Sequence, residues 1–181
     1  MVRTQSNLGF KLMAFGYKFR DFFTPRRTIL KEVGIGSGYQ VLDYGCGPGS
    51  YIVPLAELVG KSGKIYAMDV HPLAIRRIQA IASDAQLSNV ETICSDCKTG
   101  LPGNSIDVVL LYDVLHNLST PDKILEELYR VLKPDGILSV SDHHMKENEI
   151  VSLVTNGGLF ILSKKGEYTY AFSVATGICH H

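Results

Sequence analysis

Short apolar runs alternate with amphipathic stretches along most of this chain. The runs at 41–44, 64–68, 90–94, 106–112 and 137–141 are rich in Val, Ile and Leu and bounded by glycine or polar residues, which predicts strands. The fourth, Ile-Asp-Val-Val-Leu-Leu-Tyr at 106–112, is almost continuously apolar, the pattern of a central parallel strand buried on both faces. Helices are predicted between them. One spans 51–59, with Ser50 as its N-cap and Pro54 in its first turn, where a missing N–H does little harm. After the turn Lys61-Ser62-Gly63 and the second strand, another helix begins at His71-Pro72 and carries Leu73, Ile75, Ile78, Ile81, Ala82 and Ala85 at apolar positions. Thr120-Pro121-Asp122 opens a third, with Ile124, Leu125, Leu128, Val131 and Leu132 on one stripe. Arg130 and Lys133 close it and Pro134-Asp135-Gly136 stops it. A helix over 148–155 ends at Asn156-Gly157-Gly158, and the runs 159–163 and 168–174 form a closing hairpin around 164–167. Strand and helix alternate five times, so the chain is α/β, with a mostly parallel, doubly wound sheet and right-handed crossovers.

The segment before this alternation differs. Leu8, Leu12, Phe15, Phe19, Phe22 and Phe23 fall at helical spacing, with Lys11 and Lys18 elsewhere on the wheel, Pro25 breaks the pattern, and 26–33 reads as a second short helix. Residues 7–31 thus predict a lid helix, an aromatic wall of a substrate pocket, or an interfacial helix in contact with membrane. The division expected is a helical lid segment, 1–34, and a single domain, 35–176. At 181 residues and 45% hydrophobic, the chain suffices for one domain with its own core. No apolar run reaches the roughly 18 residues of a membrane span. Lys+Arg and Asp+Glu balance at 18 each, which argues against a dedicated nucleic-acid partner. The balance is uneven: Arg3, Lys11, Lys18, Arg20, Arg26, Arg27 and Lys31 face only Asp21 in the first 31 residues, which fits an acidic acceptor. The N-terminus lacks the apolar core of a secretion signal, and Cys46, Cys94, Cys97 and Cys179 are sparse and scattered, so a cytoplasmic location is expected. Cys94-Ser95-Asp96-Cys97 has no second pair to make a zinc or redox motif, and Cys179-His180-His181 is assigned nothing.

The chemistry centres on Val41-Leu42-Asp43-Tyr44-Gly45-Cys46-Gly47-Pro48-Gly49-Ser50-Tyr51, a strand running into a glycine-rich turn and a helix start. Glycines at alternate positions let backbone approach a ligand, and the helix N-terminus aims free amides at the same place. Gly34-Ile35-Gly36-Ser37-Gly38 is also glycine-rich but precedes a strand, so it reads as a connection. In doubly wound sheets ligands sit beyond the carboxyl ends of the strands. The residues there are Asp43, Asp69, Asp96, Asp113, His116, Asn117, Asp142, His143 and His144. Asp69, directly after the second strand, suits ribose hydroxyls. A dinucleotide would use the same device, but Ser50 stands where that fingerprint wants glycine, and Asp96 is a third acid it does not need.

Taken together, Val-Leu-Asp-Tyr-Gly-Cys-Gly-Pro-Gly-Ser at 41–50, Ile-Tyr-Ala-Met-Asp at 65–69, Cys-Ser-Asp at 94–96, Asp-Val-Val-Leu-Leu-Tyr-Asp-Val-Leu-His at 107–116 and Leu-Tyr-Arg-Val-Leu-Lys-Pro-Asp-Gly at 128–136 resemble the motifs of the class I S-adenosylmethionine-dependent methyltransferases, in family order. The resemblance implies a Rossmann-like sheet of seven strands with an antiparallel last strand. It also implies S-adenosylmethionine as cofactor. Gly45, Cys46, Gly47 and Gly49 would border its methionine part, with Asp43 supporting the loop and the amino group. Asp69 and Val70 would hold the ribose, Asp96 and Cys97 the adenine, and the segment at Asp113 the methionine end.

A cationic sulfonium and ammonium suit a pocket ringed by carboxylates. Methyl transfer from a sulfonium is an in-line displacement that mainly needs alignment and exclusion of water. A base is needed where the acceptor arrives protonated, and His116, His143 and His144, on adjacent strand ends about 4.8 Å apart, are the candidates. A metal among His116, Asp142 and His143 or His144 is not required by this chemistry, and none is expected. Only 142–147 separate the fifth strand from the next helix, so cover for a small-molecule acceptor must come from residues 7–31, from a second subunit of a homodimer, or not at all. The open alternatives are a membrane-associated enzyme acting on a lipid or quinone-like acceptor, a cofactor-binding protein without turnover, and a nucleotide-dependent oxidoreductase.

Overall fold

A computed structural model of the chain describes residues 26–175. Of the lid segment expected over 7–31, residues 7–25 lie outside the described residues, as do Cys179-His180-His181. The elements in order are α1 (Arg26–Val33), β1 (Gln40–Tyr44), α2 (Ile52–Val59), β2 (Lys64–Asp69), α3 (Pro72–Asp84), β3 (Val90–Cys94) and β4 (Ile106–Tyr112). A single 3-10 turn (Leu115–Asn117), α4 (Pro121–Val131), β5 (Leu132–Ser141), α5 (Glu147–Thr155), β6 (Phe160–Lys165) and β7 (Tyr170–Val174) follow.

The apolar run of β4 does what its composition requires: six of its seven residues are buried. Because side chains alternate across a strand, Val109 and Leu111 enter one core with Leu42, Tyr44, α4, α5 and Phe172. Val108, Leu110 and Tyr112 enter the other, with Val41, Ile65, α1, α2 and Ile78. The sheet order is β3-β2-β1-β4-β5-β7-β6. β1 through β5 pair in parallel, and β7 lies antiparallel between β5 and β6. The chain therefore builds outward from β1 toward β3, then returns to start again at β4. The carboxyl ends of β1 and β4, side by side, form the topological switch point.

Several boundaries differ from the sequence reading, each for a local reason. β5 begins at Leu132 rather than at residue 137. Leu132 pairs with Ile106, and a register shift between Ile106 and Val108 absorbs Pro134-Asp135-Gly136 within the strand. Lys133 consequently ends on the sheet rather than the helix, paired with Asp107 at 2.5 Å. Ser50 is not the cap of α2: Tyr51 occupies that position, and no side-chain hydrogen bond caps the helix. At the start of α3, His71 caps with its own ring, Nδ1 accepting from the Leu73 amide at 3.2 Å, ahead of Pro72. The closing strands are shifted because 166–169 form the turn. Gly166 N donates to Thr169 O, and the carboxylate of Glu32 accepts from the amides of Glu167, Tyr168 and Thr169 and from the Thr169 hydroxyl. That carboxylate clips α1 to the last hairpin.

Candidate active site

At the switch point, β1 and β4 each end in an acid and a sharp turn. Asp43 is the penultimate residue of β1, and Asp113 follows β4 with φ +54°, a left-handed conformation. Between them opens a cleft lined by Asp43, Gly45, Cys46, Gly47, Asp113 and, from α1, Arg26. Tyr51 and Tyr112 close its inner wall with ring centroids 5.1 Å apart, and the Tyr112 hydroxyl shares a 2.8 Å hydrogen bond with Ser139. Arg26 sits on the face of α1 that carries Ile29, Leu30 and Val33. Its guanidinium lies 4.8 Å from the Tyr51 ring centroid and donates to the Tyr51 hydroxyl at 2.9 Å.

Asp43 Oδ2 is buried without a hydrogen-bond partner among the described residues. Burial first, and then the charge of Asp69, push its carboxyl up to about 7, against the pull of Arg26. Burial also raises Asp69, which the amides of His71 and Gly47 partly offset. These amides donate to separate oxygens, at 2.8 and 2.9 Å, and so fix the plane of the carboxylate. Burial pushes the Cys46 thiol up, with Asp43 and Asp69 adding to it, which favours the protonated form.

The glycine turn does not behave as an amide cradle. Gly45 and Cys46 both donate to Met68 O, at 2.8 and 2.9 Å, Gly47 donates to Asp69, and Gly49 donates to Cys46 O. The amides at the heart of the loop are thus spent within the protein. The loop contributes a bare backbone wall, and the charges facing the cleft are the carboxylates of Asp43 and Asp113 and the guanidinium of Arg26. Gly45 needs its φ of +78° and has no room for a side chain, since a Cβ would overlap Val114 Cγ2. Gly49 turns the other way: a Cβ there would meet Ile78 and Ile81 of α3 at 2.6 and 2.8 Å. The absence of a side chain there lets that helix pack closely against the turn.

The polar residues after β4 and β5 are cross-tied. Asp142, its side chain fully buried, accepts from the His116 amide at 3.1 Å, from His116 Nδ1 at 2.8 Å and from the His144 amide at 3.1 Å. In the opposite direction, Asp113 accepts from the His143 amide at 3.2 Å and pairs with His143 Nδ1. The His144 ring lies 4.3 Å from that of His116 and 3.9 Å from that of His143. The three histidines expected as bases therefore form one cluster of mutually tilted rings, joined to the cleft through Asp113.

Of the other residues expected at the site, Val70 follows Asp69 at the end of β2. Asp96 is exposed and Cys97 half-buried, beyond β3 and outside the cleft proper. The Tyr44 hydroxyl donates to Asp96 O at 3.0 Å, and Ser95 N donates to Asp69 O, tying that segment to the end of β2. Cys97 Sγ turns to the Lys123 carbonyl. Among the described residues no cluster of three His, Cys, Asp or Glu is arranged to hold a metal. Sequence reasoning missed Arg26, Tyr51 and Tyr112. The available signal was an arginine in helical register with Ile29, Leu30 and Val33 on a buried face.

The donor set fits S-adenosylmethionine. An unpartnered oxygen on Asp43 and a second carboxylate on Asp113 suit the cationic end of that molecule, Arg26 beside them suits its carboxylate, and the flat glycine wall gives access. The chain is similar to a demethylmenaquinone methyltransferase of Geobacillus sp. (strain WCH70), 31% identical over 119 residues, or 65% of this chain and 51% of that protein. It is also similar to the ubiquinone/menaquinone biosynthesis C-methyltransferase UbiE of Pseudoalteromonas translucida, 30% identical over 144 residues, or 78% and 55%. The chain spans about half the length of the curated relatives it matches. Among solved structures it superposes on a SAM-dependent methyltransferase from Aquifex aeolicus with a TM-score of 0.74 and 29% identity, covering 88% of this chain and 98% of that one. The methyltransferase domain model matches residues 35–172. With the motifs, the strand order and this match in agreement, the chain belongs to the class I S-adenosylmethionine-dependent methyltransferases.

Proposed function

We propose that the chain moves the methyl group of S-adenosylmethionine to a ring carbon of a small quinone-like molecule, with His116 as the base. The observation that carries this reading is the juxtaposition of a carboxylate-lined cleft with a carboxylate-paired imidazole, linked through Asp113 and His143. The relatives named above are quinone methyltransferases, which favours this acceptor class. When bound, S-adenosylmethionine supplies a methyl group already activated on a sulfonium. Asp43 and Asp69 hold its positive end and ribose, with Gly45 and Gly47 as the wall, and Val70, Asp96 and Cys97 serve the adenosine side. A ring carbon must give up a proton when it takes a methyl group, and His116 receives it. No helix of the described residues is long and apolar enough to cross a membrane.

Calorimetry with S-adenosylmethionine and its demethylated product tests the cofactor half. Wild-type protein is expected to bind both in the micromolar range and Asp69→Ala to lose most of that affinity; a wild type that ignores both compounds refutes it. Labelled-methyl transfer to a short-chain demethylated naphthoquinol tests the acceptor half, and incorporation into an oxygen instead of a ring carbon would overturn it.

A further inference from the structure

We propose that Asp142 is a positioning residue, fixing His116 in the tautomer that carries its proton on Nδ1 and makes Nε2 the acceptor; this rests on the reading of His116 as the base. A carboxylate can only accept, so the Nδ1 contacts to Asp142, at 2.8 and 3.0 Å, require a proton on Nδ1. On the far side of the ring, Asn117 Nδ2 lies 2.7 Å from Nε2, where an amide N–H donates to a lone pair. Both edges of the imidazole thus specify one tautomer.

Ring orientation is fixed as well. Asp142 also takes the backbone amides of His116 and His144, so one buried carboxylate sets the two loops and the ring between them. The His144 ring lies against the His116 ring at a tilt of 53°, and the Asp113–His143 tie holds the second loop from the other end. When the acceptor carbon gains the methyl group, its C–H bond breaks. The Asn117 amide releases the Nε2 lone pair as the acceptor enters, the proton passes to Nε2, the bonding pair returns to the acceptor ring, and Asp142 faces the imidazolium so formed. Water later removes the proton. Orientation of an imidazole by a buried carboxylate is a recurring device in proton transfer.

The test is the nitrogen spectrum of histidine-labelled full-length protein, with His116 assigned by its loss in H116Q. In the wild type, His116 is expected as the Nδ1–H tautomer. In D142N the carboxamide can present an N–H to Nδ1, and the ring is expected to shift toward Nε2–H. Melting temperature should fall, because the carboxamide turns an N–H toward one of the two backbone amides that Asp142 accepts from, whereas S-adenosylmethionine affinity should be unchanged. Turnover of the demethylated naphthoquinol should fall about 10²-fold or more, with little change in KM. A wild-type His116 found as Nε2–H, or a D142N ring still in the Nδ1–H form, overturns the proposal. Should D142N fail to fold, the wild-type tautomer alone decides. Because the spectrum needs no acceptor, a failed transfer assay would refute the acceptor class without touching this result.

Discussion

Replacing Asp43 by asparagine separates what this residue does for binding from what it costs the empty protein. Its carboxyl is displaced from 3.8 to about 7. At about 1.36 kcal/mol per pH unit, that displacement corresponds to about 4 kcal/mol. The sign follows from which state holds the proton. The unfolded chain loses it near 3.8 and the folded chain only near 7. Stability from this group is therefore complete below the lower value and is lost as pH rises through the upper one. Asparagine has no proton to lose. D43N should accordingly match the wild type near pH 4 and exceed it by up to about 4 kcal/mol near pH 8, read by urea unfolding at each pH. The same substitution should abolish S-adenosylmethionine binding, a stability gain at the expense of function. In the wild type, a cationic ligand selects the ionised carboxylate, so affinity should climb with pH and be roughly tenfold weaker at about pH 6 than at its plateau. A D43N advantage that does not change with pH would refute the reasoning, as would cofactor binding by D43N at wild-type strength.

Gly45→Ala places a Cβ against Val114 at φ +78°, and should lower stability by about 2 kcal/mol and weaken cofactor binding, measured by thermal unfolding and calorimetry. Glu32→Ala removes the acceptor of three backbone amides and one hydroxyl in the turn at 166–169. Hydrogen exchange at Glu167, Tyr168 and Thr169 should speed up, with about 1–2 kcal/mol lost from global stability. The net effect of these bonds, against the opposing effect of burial, is to hold the Glu32 carboxyl below its usual value, so the wild type should lose this advantage as pH falls through that lowered value. If the acceptor is drawn from a membrane, full-length protein should sediment with anionic liposomes more than a chain lacking residues 1–25; equal partitioning removes that role for the basic segment.

The sheet was legible because its signals are local. Ile106–Tyr112 announces a doubly buried strand in seven letters, and the alternation around it fixes the layer order. The acids past each strand end were legible for the same reason, since the fold itself decides where a loop residue stands. What escaped depends on partners distant in sequence. The early start of β5 at Leu132 is set by Ile106 across the ladder, not by the helix stripe that Leu132 also satisfies. Gly49 looks like Gly45 in sequence, yet it faces α3, and only the packed helix distinguishes the two. The glycine turn predicted free amides, but Met68 O and Asp69 had already taken them. The three histidines were visible as candidates, whereas the reciprocal pairing of Asp142 with His116 and Asp113 with His143 required both loops in place.

The clip at Glu32 bears on how the molecule comes into being. Its carboxylate leaves the ribosome well before the amides it will bind, which lie 135 to 137 positions further along. While synthesis is under way, α1 lacks this anchor, and Arg26 rides on the same helix. The bond from Arg26 to Tyr51, the pairing of Arg27 with Glu57 and the apolar face of α1 against α2 need no hairpin, so a truncation that loses β6 and β7 would remove one of several ties on the helix that carries Arg26.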